Sequence, residues 1–163
     1  MPRVYVSVGS NMEREFHIRS ALKALRERFG QLTASRIFES AAVGFSGDDF
    51  YNLVVGFNTE MSVGEVVIEL RDIEQSHSRD RRMPRFGPRT LDLDLLLYGD
   101  LIMDAQGIKL PREEIGRYAF VLGPLAEIAG DMCNPVNGRR FTDLWLEFDR
   151  TNQPLKPVDF DVE

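Results

Sequence analysis

The chain has 163 residues, 43% of them apolar and 28% charged, and a net charge of −6. That balance excludes a disordered or fibrous chain, and the length suits one domain, spanning 1–163, that buries most of its apolar surface. The acidic total argues against general nucleic-acid binding, which draws its affinity from a basic surface.

Cys133 is the sole cysteine, so there is no intrachain disulfide and no cysteine-based zinc site, and a reducing compartment is implied. The opening "MPRVYVSVGSN" lacks the apolar core of a signal peptide, and no run approaches membrane-spanning length. The expectation is a cytoplasmic monomer with no membrane or nucleic-acid partner.

Residues 3–8 alternate, with Val4, Val6 and Val8 on one side of a half-buried strand. "GSN" at 9–11 is expected to break that strand, with Asn11 as N-cap and Glu13 and Glu15 in the first helical turn. Ile18, Ala21, Leu22, Leu25 and Phe29 recur at helical spacing, predicting a helix over 13–29 that Gly30 stops. Residues 32–39 suggest a strand, followed by a loop over 40–49. "YNLVVGF" at 51–57 predicts a strand with Leu53, Val55 and Phe57 on one face and Asn52 and Val54 on the other. Val63, Val66, Val67, Leu70 and Ile73 form the stripe of a second helix, over 62–77, with His77 in a packing or surface role.

A loop rich in arginine and proline is expected over 78–89, then a strand in "TLDLDLLLYGD" with Leu93, Leu95 and Leu97 facing one way. Beyond it come a proline-bounded loop near 110–117, a short apolar helix near 120–129 and a last helix in "FTDLWLEF". Strand, helix, strand, strand, helix, strand is the order of the ferredoxin-like split βαβ unit. The fold class is therefore α+β: an antiparallel sheet with helices packed on one face and ligand loops around the other.

The chemistry concentrates in "RRMPRFGPRTLDLDLLLYGD", residues 81–100. Strand alternation projects Asp92 and Asp94 from one face while the neighbouring leucines point the other way. Two such carboxylates can share one divalent cation or bridge a pair. Hard oxygen ligands without His or Cys favour magnesium, whose remaining positions go to water and phosphate. Taken alone, D-L-D also fits the solvated face of an amphipathic strand. Arg79, Arg81, Arg82, Arg85 and Arg89 lie within eleven residues just before it, however, and guanidinium forks suit phosphate oxygens. No Walker A or GxGxxG sequence is present, which excludes a P-loop or Rossmann site.

"RFGPRTLDLDLLLYGD" resembles the signature of the 6-hydroxymethyl-7,8-dihydropterin pyrophosphokinase family: Gly-Pro-Arg, two spacers, then Asp-x-Asp before an apolar run. "VYVSVGSNM", "FYNLVVGF" and "AFVLGPLAEIA" extend the resemblance over most of the chain. It implies transfer of the β,γ-diphosphate of ATP to the hydroxymethyl oxygen of the reduced pterin, releasing AMP, with ATP as co-substrate and two Mg2+ ions, in folate biosynthesis. By position, Asp92 and Asp94 would be the metal ligands, and Arg79 and Arg89 would contact the phosphates in catalysis. Arg81, Glu74 and Arg112 would lie on the ATP side. The pterin would meet Ser40, Ala41, Ala42 and Val43 in the loop, Asn52 through its amide, Phe86 as a lid and Phe120 as a stacking ring.

The chain departs from the family pattern in three places. "SAAVG" stands where Thr-Pro-Pro is common, Arg112 where a histidine is common, and Tyr118 where an arginine is common, with Arg117 one place earlier. The alternatives are a paralogue acting on another hydroxymethyl heterocycle, or a ferredoxin-like module that binds nucleotide without turnover.

Overall fold

In the computed structural model, which describes residues 1–41, 48–77 and 91–159, the first alternating segment forms strand β1 (Arg3–Ser10). Gly9 and Ser10 do not break it; they pair with Asn52 and Tyr51 of the strand β4 (Phe50–Asn58). Because β1 runs on, Asn11 is not a helix cap: it is buried, and its Nδ2 donates to the Asp48 carbonyl at 3.2 Å. Helix α1 (Arg14–Phe29) starts instead after Glu13, whose backbone is left-handed at φ 45°, and ends at Gly30 with φ 85°.

The expected strand near 32–39 is two strands, β2 (Thr33–Ala34) and β3 (Ile37–Ser40). Ser35 occupies the break, where its amide donates to the Val54 carbonyl and its hydroxyl accepts from the Val54 amide, both at 2.9 Å. The side chain thus replaces a main-chain acceptor in the ladder. Helix α2 (Val63–Ser76) opens on a capping box between Ser62 and Glu65, which satisfies two N-terminal amides reciprocally. His77 follows it in a packing role: Nδ1 lies 2.9 Å from the Ile73 carbonyl and Nε2 2.8 Å from the Ser20 hydroxyl of α1.

Strand β5 (Asp92–Tyr98) pairs with β1, and the sheet order is β5-β1-β4-β3, all antiparallel, with β2 also against β4. This is the split βαβ order. The tail adds an edge strand, β8 (Lys156–Val158), against β3. A hairpin of β6 (Met103–Ala105) and β7 (Ile108–Leu110), not foreseen from the sequence, precedes a 3-10 turn over Glu113–Gly116. Helices α3 (Ala119–Ala129) and α4 (Phe141–Glu147) complete the fold.

Helices α1 and α2 cover one face of the sheet. Val4, Val6, Val8, Leu53, Val55, Phe57, Leu93 and Leu95 meet Ile18, Leu22, Leu25, Val66, Leu70 and Ile73 in a closed aliphatic core. The other face is not left wholly to loops. Tyr5, Val54, Leu96 and Leu97 form an apolar patch there, and α3, α4 and Ile115 of the 3-10 turn cover it.

Leu97 departs from the expected common face with Leu93 and Leu95. The β1–β5 register slips between the pairs Val6–Leu95 and Tyr5–Leu97, leaving Leu96 as the extra residue. Such a bulge reverses the alternation beyond it, so Leu97 joins the second face while Tyr98 packs on the first.

Candidate active site

Register, more than sequence proximity, builds the site. Directly opposed residues in an antiparallel pair point to the same face. Asn52, Gly9 and Asp92 therefore form one row across β4, β1 and β5, while Val54, Ser7 and Asp94 form the next. With strands roughly 4.8 Å apart, Asn52 and Asp92 stand about 10 Å apart on the same face.

Between them Gly9 offers no side chain. A Cβ there would lie 3.0 Å from Asn52 Oδ1 and 3.7 Å from the Phe50 ring. The glycine thus keeps an opening between the amide and the carboxylate, beside an aromatic edge. Asn52 is buried, and its Nδ2 donates to Ser40 Oγ at 2.7 Å, which fixes the amide plane and leaves Oδ1 toward the Gly9 side.

Asp92 and Asp94 are both half-buried at the start of β5, with Leu93 buried between them. Glu74 of α2 supports this end of the strand. Its Oε2 accepts from the Leu93 amide at 2.9 Å, and its Oε1 accepts from Arg71 Nη1 at 3.0 Å. Burial pushes the Glu74 carboxyl above the ordinary glutamate value; the Leu93 amide and Arg71 oppose the rise, and the nearby Asp94 charge adds to it. On the other side Arg112 brings Nη2 to 3.5 Å from Asp94 Oδ1 and Nε against Glu114 Oε2.

A cleft opens beside Asp94 between α2, β5 and the β6–β7 hairpin. Val67, Leu70, Leu95 and Ile108 give it an apolar floor, and Arg71, Lys109 and Arg112 give it a cationic rim. The cleft itself is narrow, about 30 Å³, and its cationic rim suits phosphate oxygens. Arg71, Lys109, Gly9 and Phe50 were not singled out in the sequence reading; the hairpin and register that bring them here join segments far apart in the chain.

Of the expected site residues, Asp92, Asp94, Asn52 and Ser40 share one face of the sheet, and Glu74 and Arg112 flank Asp94. Ala41 lies exposed just past β3. Phe120 is on the same side of the sheet, in the first turn of α3, where its ring stacks on Tyr118 at 4.9 Å between centroids and 18° between planes. Ala42, Val43, Arg79, Arg81, Phe86 and Arg89 lie outside the described residues.

The donors fit a hard divalent ion. Asp92 and Asp94 offer carboxylate oxygens from one partly solvated edge, and among the described residues no group of three or more His, Cys, Asp and Glu side chains gathers into a closed metal cage. A two-carboxylate edge leaves coordination positions for water and phosphate, as magnesium prefers.

A family model for 7,8-dihydro-6-hydroxymethylpterin-pyrophosphokinase (HPPK) matches residues 5–130. The chain belongs to this family. The resemblance in the signature segment is thereby borne out. The chain is 34% identical over 152 residues to the 2-amino-4-hydroxy-6-hydroxymethyldihydropteridine pyrophosphokinase of Haemophilus influenzae, covering 91% of this chain and 94% of that one. The enzyme of the same name from Pseudomonas aeruginosa is 37% identical over 147 residues, covering 87% and 89%. Among solved structures, Plasmodium falciparum HPPK-DHPS superposes with a TM-score of 0.72 at 11% identity over 90% of this chain. This chain spans only 44% of that longer one, and the likeness bears on the HPPK fold alone.

Proposed function

We propose that this HPPK-family chain works as one catalytic domain, transferring the β,γ-diphosphate of ATP to the hydroxymethyl group of 6-hydroxymethyl-7,8-dihydropterin and releasing AMP, a step of folate biosynthesis. One observation carries the reading: Asn52 and the Asp92/Asp94 pair share a single face of the sheet, separated by Gly9. The amide that would hold the pterin and the carboxylates that would hold the metal are then about two strand spacings apart, so the hydroxymethyl group and the triphosphate meet between them.

Asp92 and Asp94 would hold two magnesium ions, which when bound supply positive charge to the phosphate oxygens. Asn52, fixed by Ser40, reads the donor and acceptor edge of the pterin, and Phe120, backed by Tyr118, offers a ring face for stacking. Arg71, Lys109 and Arg112, around the narrow cleft beside Asp94, face the nucleotide phosphates. Arg79, Arg81 and Arg89 of the signature segment add further cations, and Phe86 and the loop residues Ser40 to Val43 complete the pterin side.

The pterin hydroxyl oxygen bonds to the β-phosphorus and the bond from that phosphorus to the α,β-bridging oxygen breaks. AMP departs with the bridging oxygen, and the hydroxyl proton is released to solvent. The chain contributes mainly alignment and charge neutralisation, as phosphoryl-type transfer requires.

Cys133 is exposed and unbonded, which favours the cytoplasm, and among the described residues no helix is long and apolar enough to cross a membrane. The test is incubation with Mg·ATP and the reduced hydroxymethylpterin, followed by phosphorus NMR. AMP and a pterin diphosphate are expected. Formation of ADP overturns the diphosphate transfer, and chelation of magnesium should stop the reaction until the ion is restored.

A further inference from the structure

Arg112 is held in place by the main chain. Its amide donates to the Leu96 carbonyl of β5 at 3.1 Å, and its carbonyl accepts from Ile115 within the 3-10 turn at 3.2 Å. The backbone at 112 is thus tied to the strand that carries Asp94, two residues along from it. Its guanidinium then lies between two carboxylates, 3.5 Å from Asp94 Oδ1 and against Glu114 Oε2.

All three side chains are about one-third exposed, at 35%, 35% and 33% for Arg112, Asp94 and Glu114. The long contact with Asp94 is therefore weak and exchangeable, whereas Arg112 Nε and Glu114 Oε2 are buried and anchor the guanidinium from its other side. The same guanidinium faces the cleft that Arg71 and Lys109 also line. An entering polyphosphate would therefore offer Arg112 a bidentate partner better matched to its fork than one oxygen of Asp94 at 3.5 Å.

We propose that Arg112 is an exchangeable counter-ion to Asp94: it opposes metal binding in the free protein, moves to the phosphates when nucleotide arrives, and so couples metal binding to nucleotide binding. This inference rests on the reading of Asp94 as a metal ligand. A cation approaching Asp94 alone meets a resident positive charge and must displace or tolerate it. A cation arriving with a polyphosphate brings the anion that draws Arg112 away and exposes the carboxylate. Coupling of this kind is reciprocal, so a metal already at Asp94 also frees Arg112 for phosphate. Glu114 tunes the exchange because it shares the guanidinium with Asp94.

The test is titration of the protein with Mn2+, the free ion followed by electron paramagnetic resonance, with and without the α,β-methylene analogue of ATP, which cannot be cleaved at the reacting bond. For Arg112→Gln, Mn2+ alone should bind about fivefold tighter, because a unit charge roughly 4 Å away in a well-solvated site is lost. The same variant should bind the Mn2+-nucleotide complex at least about fivefold more weakly, so that the coupling between the two ligands shrinks by the product.

Arg112→Lys should restore the weak metal-alone binding of the unmodified chain. Glu114→Gln should shift it the opposite way from Arg112→Gln, because the guanidinium then has Asp94 as its remaining carboxylate. Unchanged metal-alone affinity in Arg112→Gln would reduce the residue to a phosphate contact and overturn the proposal. A parallel loss of both affinities together with a lower Tm would make it a structural residue and overturn it equally. Retention of Mn2+ binding by Asp94→Asn would remove the metal site and the inference with it. If the predicted shifts occur but no AMP forms from ATP and the pterin, the inference stands and the proposed reaction fails.

Discussion

The two faces of the central sheet are built from the same three strands and do opposite work. Toward α1 and α2, the inward positions of β1, β4 and β5 are aliphatic or aromatic except for the buried Ser10 at the end of β1, and the layer is closed to water. On the reverse, β1 runs from Tyr5 through Ser7 to Gly9, β4 from Val54 to Asn52, and β5 from Leu97 to Asp94 and Asp92. One end of that face is apolar and covered by α3 and α4, while the other is polar and holds the candidate site. Alternation lets one strand serve stability on one side and chemistry on the other. Asp92 and Asp94 can be exchanged without disturbing Leu93 and Leu95, and the closed core in turn keeps the carboxylates in register.

The sharpest test of that division is Asp94→Ala. Formation of AMP should fall by about a thousandfold or more, in line with loss of a principal charge-neutralising group, while the melting temperature stays close to that of the unmodified chain. Activity that survives at ordinary magnesium would break the assignment of the polar end. The converse test is Phe57→Ala on the closed face. Phe57 is fully buried and stacked on Phe29, with centroids 4.2 Å apart. Urea denaturation should report a loss of about 3–5 kcal/mol, with the pterin KM little changed in the fraction that remains folded.

Much of the closed face is legible in the sequence because its signals are local and periodic. Val4, Val6 and Val8 follow a period of two, and Val66, Leu70 and Ile73 a helical stripe; both survive intact. The failures have non-local causes. Nothing in "LDLDLLLY" marks which leucine is the bulged one, since the slip at Leu96 depends on pairing with β1. Asn11 has the right chemistry for a cap, but its amide is engaged by the chain at Asp48, 37 residues later. In the site, the common face of Asp92 and Asp94 is readable from alternation, and the arginines just before them mark that face as a candidate site. That Arg112 reaches Asp94, or that Gly9 separates Asn52 from Asp92, depends on the hairpin and on strand order. The capping box of Ser62 and Glu65 that starts α2 is a local signal that the reading of the sequence did not single out.

A smaller effect is expected from Asn52→Leu, which keeps the branched shape but removes the amide. The pterin KM should rise by about tenfold, the worth of one or two hydrogen bonds, with the KM for ATP much less affected. A large fall in kcat at unchanged pterin KM would move Asn52 from substrate binding to the reacting centre. The variant also separates the two ends of the polar row, because Asp92 and Asp94 keep their places on β5.

The smallest effect, and the one that bears most directly on how the two faces are joined, concerns Glu74. This residue leaves α2 on the closed side and supports β5 through the Leu93 amide, beside the carboxylates of the open side. Burial raises its pKa in the folded chain, so the folded state holds the proton more tightly than the unfolded one. Its contribution to stability is then fully present below the ordinary glutamate value and is lost as pH rises through the higher folded-state value. Glu74→Gln retains a carbonyl acceptor for Leu93 and cannot ionise. Its melting temperature relative to the unmodified chain should therefore improve steadily as pH rises from 4 toward neutrality, by a few degrees at most. Differences taken at a series of pH values cancel the constant effect of altered packing, while the ion pair with Arg71 is already included in the net rise of the Glu74 pKa. A difference that stays flat with pH would mean that Glu74 ionises freely. The support of β5 from the closed face would then owe nothing to a partly buried carboxylate.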